Sequence, residues 1–223
     1  MALRGEGVLA IWNGIAPEAE AAFVDWHVRE HIPERVAVPG FLRGRRYVAE
    51  AGFPAYFNFY ETESAATLTS QAYLDRLNTP SDWTRSVVRH FRDTTRTVCR
   101  VAFSTGAGDG GHVGTARLAG APSGAAKDAL GETVRGIAGV VALHLLEGLP
   151  DGGGATAEKA LRDAPDGHAP WVLLIEAVGR EALERAFDGP ASAAGLRGLG
   201  FAANEGDQGI YRLQYSLSRD QLG

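Results

Sequence analysis

The order of apolar segments predicts an α+β fold made of two tandem β-α-β-β-α-β units, the ferredoxin-like arrangement. Three observations carry that expectation. A glycine-rich joint, GAGDGGHVG at 106–114, divides the 223-residue chain near its middle. The same succession of elements reads on both sides of it. Three segments also match in kind across the joint: VPGFLRGRRYVAE (38–50) with IAGVVALHLLEG (137–148), AYFNFYE (55–61) with PWVLLIE (170–176), and VCRVAFS (98–104) with IYRLQYS (210–216). The expected organisation is therefore a first unit at 1–105 carrying the candidate site, a linker at 106–114, and a degenerate second unit at 115–223, mainly scaffold.

The first unit opens with a strand at 7–14 and a helix at 17–31. Around that helix, at roughly 100° per residue, Ala19, Ala22, Phe23 and Trp26 form an apolar stripe. Glu30 falls near the centre of the stripe and should face the sheet, where an unpaired carboxylate is costly. Arg43, Arg45 and Arg46, on the next strand (41–49), are its expected partners. Pro33 should end the helix, since proline removes a backbone donor and biases Ile32 toward extended geometry. Strand 55–61 alternates Tyr56, Asn58 and Tyr60 with Phe57 and Phe59, sending the phenylalanines to the core and the polar set beneath the helices. A helical region covers 64–92, with an N-cap at Ser81 or Thr79 beside Pro80, and a strand at 96–104 closes the unit. The second unit repeats this with strand 112–119, helix 123–137, strands 140–147 and 171–178, helix 180–187 and strand 209–217. Its longer loop lies near 150–169, where repeats tolerate insertion.

Composition narrows the function classes. A net charge of −5 gives no reason to expect nucleic acid or an anionic membrane as partner. The lone cysteine, Cys99, rules out an intrachain disulfide and a multi-cysteine metal cage. No apolar run approaches the roughly 20 residues of a membrane span, and no secretory signal is visible, so a cytoplasmic location is the expectation. The wealth of Ala, Gly and Arg suggests a bacterial genome.

The stretch WHVREHIPER, 26–35, is chemically the densest. Its His-x-x-Glu-His pattern resembles a zinc-peptidase signature, with His27 and His31 one helical turn apart and Glu30 as base. A catalytic zinc needs a third ligand, and nothing downstream marks one, so no metal is expected. The histidines have two other readings: charges that suit a helix C-terminus, or acid/base groups at the edge of an apolar cleft. Comparison of the halves favours a site. Arg45 corresponds to His144, Arg46 to Leu145, Asn58 to Leu173 and Tyr60 to Ile175, so reactive side chains concentrate in the first half. GAGDGG lacks the Lys-Ser/Thr of a phosphate loop and reads as a linker.

With the helix ending FVDWHVREHIPE and the strand opening VPGFLRGRRY, the chain resembles the dimeric α/β-barrel superfamily, and within it EthD-like proteins. Their aromatic-rich first-helix pattern falls here on Phe23, Trp26, His27 and His31. The resemblance covers each half in topology and about residues 20–50 in motif. It implies two sheets paired into a barrel, here within one chain, so a pseudo-dimeric monomer suffices although a homo-oligomer is compatible. Superfamily members include cofactor-free monooxygenases, isomerases and haem enzymes, so fold alone assigns no activity. For haem, His90, His144 or His168 would be the axial ligand, and Asn13, Trp83 and His90 the degrading set; none sits in a matching pattern.

The leading expectation is a small-molecule enzyme without metal or organic cofactor, performing proton transfer or monooxygenase-type chemistry on a hydrophobic carbonyl or aromatic compound. His27 or His31 serves as acid/base and Arg46 or Arg45 orients an anionic oxygen, while Trp26, Glu30, Tyr56, Asn58 and Tyr60 line the pocket. The alternatives are a non-catalytic ligand-binding or assembly protein, and a haem-binding or haem-degrading relative.

Overall fold

Apolar alternation of period two becomes eight strands: β1 (Gly7–Ile15), β2 (Phe41–Ala51), β3 (Tyr56–Thr62), β4 (Phe91–Gly106), β5 (His112–Leu118), β6 (Val140–Gly148), β7 (Trp171–Ala177) and β8 (Ala203–Ser218). The computed structural model describes residues 3–120, 124–150 and 154–222. The strands pair antiparallel and close into one barrel in the order β1-β3-β2-β8-β5-β7-β6-β4. Closure leaves no strand edge exposed. β4 and β8 outrun their expected spans, 96–104 and 209–217, for a topological reason. Each must pair along one stretch with its own half and along another with the other half: β4 with β1 and then β6, β8 with β5 and then β2. The expected linker 106–114 is correspondingly shorter, because Gly106 still pairs with Ala142 and His112 already pairs with Ala177.

An eight-stranded barrel is just wide enough for side chains to fill. Val8, Trp12, Phe57, Phe59, Leu174 and Tyr211 are among those that do. One layer of the interior is charged. Arg43 holds Glu61 (Nε–Oε2 2.5 Å) and Asp109 (Nη1–Oδ2 2.5 Å), while Arg45 holds Glu176 through two 3.0 Å bonds and reaches Glu61 at 3.2 Å. The Gly110 backbone N–H and Arg45 both donate to Glu176. His144 contacts Ser104 at 2.9 Å and approaches Glu176 at 3.5 Å. Arg45, Glu61, Glu176 and His144 are fully buried, so this network is stable only while complete.

The helices cover the outside of the barrel. The first begins as a 3-10 turn, Pro17–Ala19, and continues as α1 (Glu20–Trp26), a π turn (His27–His31) and α2 (Ile32–Val36). It therefore passes through Pro33, where the sequence predicted a stop. The reason lies in the hydrogen bonds. Ile32 N–H bonds the carbonyl of His27, five residues back, so the chain widens before the proline that could not bond Arg29 in an α turn. The helical region 64–92 resolves into a 3-10 turn (Ala65–Thr69), α3 (Gln71–Asn78) and α4 (Asp82–Val88), with Phe91 already in β4. Ser81, not Thr79, caps α4, its Oγ accepting from Thr84 N–H at 2.9 Å. In the second half α5 (Gly124–Arg135) fills most of the predicted 123–137, whose first residue lies outside the described residues. α6 (Arg180–Asp188) follows β7, and α7 (Ala193–Gly198) was not anticipated. Leu130, Val134, Leu183 and Leu196 pack under these helices in a filled apolar layer.

Burial by itself would raise the Glu176 carboxyl, but the Arg45 guanidinium and the bonds from His144 and Arg45 outweigh it and hold it at about 2. Its folded value is depressed, so its contribution to stability is complete above the ordinary carboxylate range and is lost as pH falls toward about 2. Glu176→Gln should cost about 3–5 kcal/mol in urea unfolding at pH 7. Its stability deficit against the unmodified protein should shrink between about pH 4.5 and 2; a deficit independent of pH would contradict the ion-pair assignment.

Candidate functional site

The π turn brings Trp26 and His31, five residues apart, onto one face together with His27. Trp26, His27 and His31 are all buried, where periodicity put the two histidines on the border of the apolar stripe. The imidazoles of His27 and His31 stack with centroids 5.3 Å apart, and Trp26 lies 4.3 Å from His31. Insertions of this kind into an α-helix recur at functional sites. With His27, His31, Arg35, Asn58 and Tyr60, the rings of Trp26 and Phe91 wall an enclosed cavity between the helix and the sheet. Water-sized molecules can occupy about 20 Å³ of it, room for one or two waters.

The polar groups around this space are incompletely bonded. The Tyr60 hydroxyl lies 3.4 Å from His27 Nε2, while Nδ1 of His27 and Nδ1 of His31 have no partner. Burial lowers the pKa of His27, with His31, Arg46 and Arg35 lowering it further; burial likewise lowers His31, followed by Arg35, Arg162 and Arg76. Both imidazoles are therefore neutral at physiological pH and able to accept a proton. Burial pushes the Tyr60 hydroxyl up, which keeps it a donor. Arg35, Arg96 and Arg162 line the same space. Arg35 pairs with Glu158, both buried; Arg96 donates to Tyr73 Oη at 3.1 Å; Arg162 pairs with Asp166 and lies over the Phe91 ring. The cavity lining carries more guanidinium than carboxylate and so favours an anionic occupant.

Of the predicted residues, His27, His31, Trp26, Asn58 and Tyr60 meet at the cavity. The others do not line it. Glu30 makes no arginine pair; its Oε1 accepts instead from Trp26 Nε1 (3.1 Å), Ser81 Oγ (2.5 Å) and Thr84 Oγ1 (3.1 Å), tying the π turn to the start of α4. Period-two alternation explains the missing partner: Arg43 and Arg45 point into the barrel, and only Arg46 faces the helices. Arg45 therefore belongs to the interior network rather than to substrate orientation. Arg46 is buried between Phe23 and Tyr56, its guanidinium 5.1 and 4.8 Å from the two ring centroids, with Nε and Nη2 unbonded. It acts on His27 only through charge. Tyr56 donates to Glu20 at 2.6 Å, outside the cavity. Sequence reading missed Arg35, Arg96, Tyr73, Glu158 and Arg162. Arg35 follows His31 by one turn, a signal masked by the expected stop at Pro33. The second half also supplies residues here, through Glu158 and Arg162.

Neither of the cofactor alternatives finds a matching donor set. Among the described residues no three His, Cys, Asp or Glu side chains converge as metal ligands. His144 is held inside the barrel by Ser104, and neither His90 nor His168 lines the cavity. None of the three histidines weighed as an axial haem ligand lines this cavity. Among the described residues no helix is long and apolar enough to cross a membrane.

Because folded-state pKa values of His27 and His31 lie below the unfolded value, their neutral burial contributes stability above about pH 6.5 that is lost as pH falls below it. The double variant His27→Gln/His31→Gln should lose less stability than the unmodified protein between pH 7 and 5. Equal losses would show that the imidazoles are already charged when folded.

No protein-family model matches the sequence, and no curated protein does. Solved structures match over nearly their whole length. The chain superimposes on an anthrone oxidase-like protein with TM-score 0.63 at 14% identity, covering 100% of this chain and 98% of that one. It matches a candidate monooxygenase from Fusobacterium nucleatum with TM-score 0.55 at 7% identity over 97% and 96%. A mutant chlorite dismutase from Candidatus Nitrospira defluvii follows with TM-score 0.53 at 9% identity over 97% and 93%. At these identities the likeness shows the fold, and that fold is the dimeric α+β barrel.

Proposed function

We propose that the cavity under the π turn is the active site of a small-molecule enzyme that removes a proton from a hydrophobic carbonyl or aromatic compound, without metal or organic cofactor. The observation that carries this reading is the pair of buried imidazoles with unbonded Nδ1 atoms, lining an aromatic-walled space that also holds three guanidiniums. His27 is the base. It takes the proton from a carbon acid, and the electron pair of the broken C–H bond moves onto the substrate's carbonyl oxygen as an enolate. The lowered pKa of His27 keeps it unprotonated until the substrate gives up its proton, and the guanidinium of Arg35, which lines the cavity, stabilises the negative charge as it forms. Tyr60, still protonated, donates to the same region. In the monooxygenase-type continuation the enolate carbon bonds dioxygen, the resulting peroxide takes the proton held by His27, and the hydroperoxide loses water as its O–O bond breaks, leaving one oxygen as a new carbonyl. The shared fold with an anthrone oxidase-like protein and a candidate monooxygenase supports it.

The same proposal includes two finer readings of descent. Strand order β4-β1-β3-β2 in the first half repeats as β8-β5-β7-β6 in the second, which supports two tandem ferredoxin-like units, 1–105 and 115–223. The placement of Glu61 and Glu176 on matching strands, facing Arg45 and His144, supports it too. The burial of Phe23, Trp26, His27 and His31 together supports the EthD-like pattern within the barrel superfamily. In this reading the chain is a pseudo-dimeric monomer.

Anthrone in buffered solution provides the test, with oxygen uptake and loss of the acidic methylene proton into D2O both followed. The unmodified protein should accelerate exchange, and His27→Ala should lower the rate by about 10²–10⁴-fold. Unchanged exchange in His27→Ala would overturn the base assignment. Retained ligand affinity with no exchange in any form would favour the non-catalytic binding protein.

A further inference from the structure

The segment 158–167 belongs to the second half but lies across the first. Its backbone is tied at both ends: Glu158 N–H bonds Leu77 O at 3.1 Å, and Gly167 exchanges bonds with Thr94 O (2.8 Å) and Arg96 N–H (3.0 Å). Between these ties one carboxylate plugs the cavity. Glu158 pairs with Arg35, 123 residues away in sequence, and both side chains are buried. Arg35 still has one unbonded nitrogen, Nη1, and His31, which lines the same cavity, has an unbonded Nδ1. Farther along the segment, Arg162 stacks 5.7 Å from the Phe91 centroid. Those two residues line the cavity on one side and an open surface hollow of about 450 Å³ on the other. Phe91 and Arg162 are thus shared by the linings of the hollow and of the cavity.

The cavity holds room for water alone, yet its walls are aromatic and its polar groups unsatisfied. We propose that Glu158 occupies the cavity's anion subsite, and that a planar aromatic anion displaces it from Arg35 and releases the segment 158–166. This rests on the reading of the cavity as a small-molecule site. The displaced arrangement is electrostatically balanced: the incoming carboxylate or enolate oxygen replaces one carboxylate at Arg35, and Glu158 returns to water. A neutral molecule makes that exchange only if His27 removes its proton and leaves an anionic oxygen at Arg35; one with no such acidic proton would leave Arg35 buried and unpaired, the costly outcome for a desolvated cation. The ion pair thereby selects for charge and sets a threshold on occupancy, since apparent affinity falls by the fraction of protein in the open form.

The test compares 1-naphthoate with neutral 1-naphthamide, binding being read from Trp26-dominated changes in fluorescence and by calorimetry. Glu158→Gln keeps the side-chain volume but removes the competing charge. It should tighten 1-naphthoate by about tenfold or more, while 1-naphthamide changes by less than about twofold. In the unmodified protein, saturating 1-naphthoate should speed amide hydrogen exchange across 158–166, a readout that does not depend on the variant folding. Unchanged or weaker naphthoate binding in Glu158→Gln, or slower exchange in the segment, overturns the displacement. Equal binding of both probes to both proteins would sink the displacement and leave the cavity reading standing. No binding of either probe to either protein would sink both.

Discussion

A proline that cannot donate a hydrogen bond organises this molecule's most reactive region. An α-helix carried through Pro33 would need a bond from its nitrogen to Arg29. The chain instead takes one wide turn, with Ile32 bonded to His27, and then resumes as a helix to Val36. That turn stacks His27 on His31, presses both against Trp26, and leaves Arg35 on the same face one turn on. Glu30 is turned to the start of α4, where Ser81 and Thr84 donate to it alongside Trp26 of its own helix and hold the widened turn in place. The cavity's chemistry follows from this local geometry: desolvation keeps the imidazoles neutral, and the guanidiniums beside them make protonation costlier still.

The second constraint is the alternation of β2. Its three arginines carry out two different tasks because successive side chains leave the sheet on opposite faces. Arg43 and Arg45 enter the barrel and join the carboxylates of both halves into one buried network, so the closure of the barrel and the pairing of its charges are a single cooperative feature. Arg46 goes the other way, between Phe23 and Tyr56, and adds positive potential to His27 without touching the cavity. A rigid, closed sheet is a suitable floor for a site whose other wall is a helix and a crossing loop.

The parts of this arrangement legible in the sequence were those governed by period. Alternation in 55–61 correctly separated the core-facing Phe57 and Phe59 from Asn58 and Tyr60 beneath the helix. The glycine joint and the repeated order of strands led to two ferredoxin-like units, and the resemblance carried by residues 20–50 implied the barrel, although β4 and β8 were read short because their outer ends are half-exposed and less apolar. Helical periodicity failed at 27–35, since it assumes a constant turn and the π segment changes it. Arg45 was assigned to the site because a sequence does not show which face of a strand meets the barrel interior. Glu158 and Arg162 were illegible: they lie in a loop without periodicity and reach their partners only through the closure of the fold.

A crystal structure of the protein soaked with 1-naphthoate tests the central claim most directly. The account predicts the ring between Trp26 and Tyr60, its carboxylate on Arg35, and His27 or His31 within hydrogen-bond reach of the ligand. A ligand bound elsewhere, with Glu158 still on Arg35 and the cavity still closed, would contradict it.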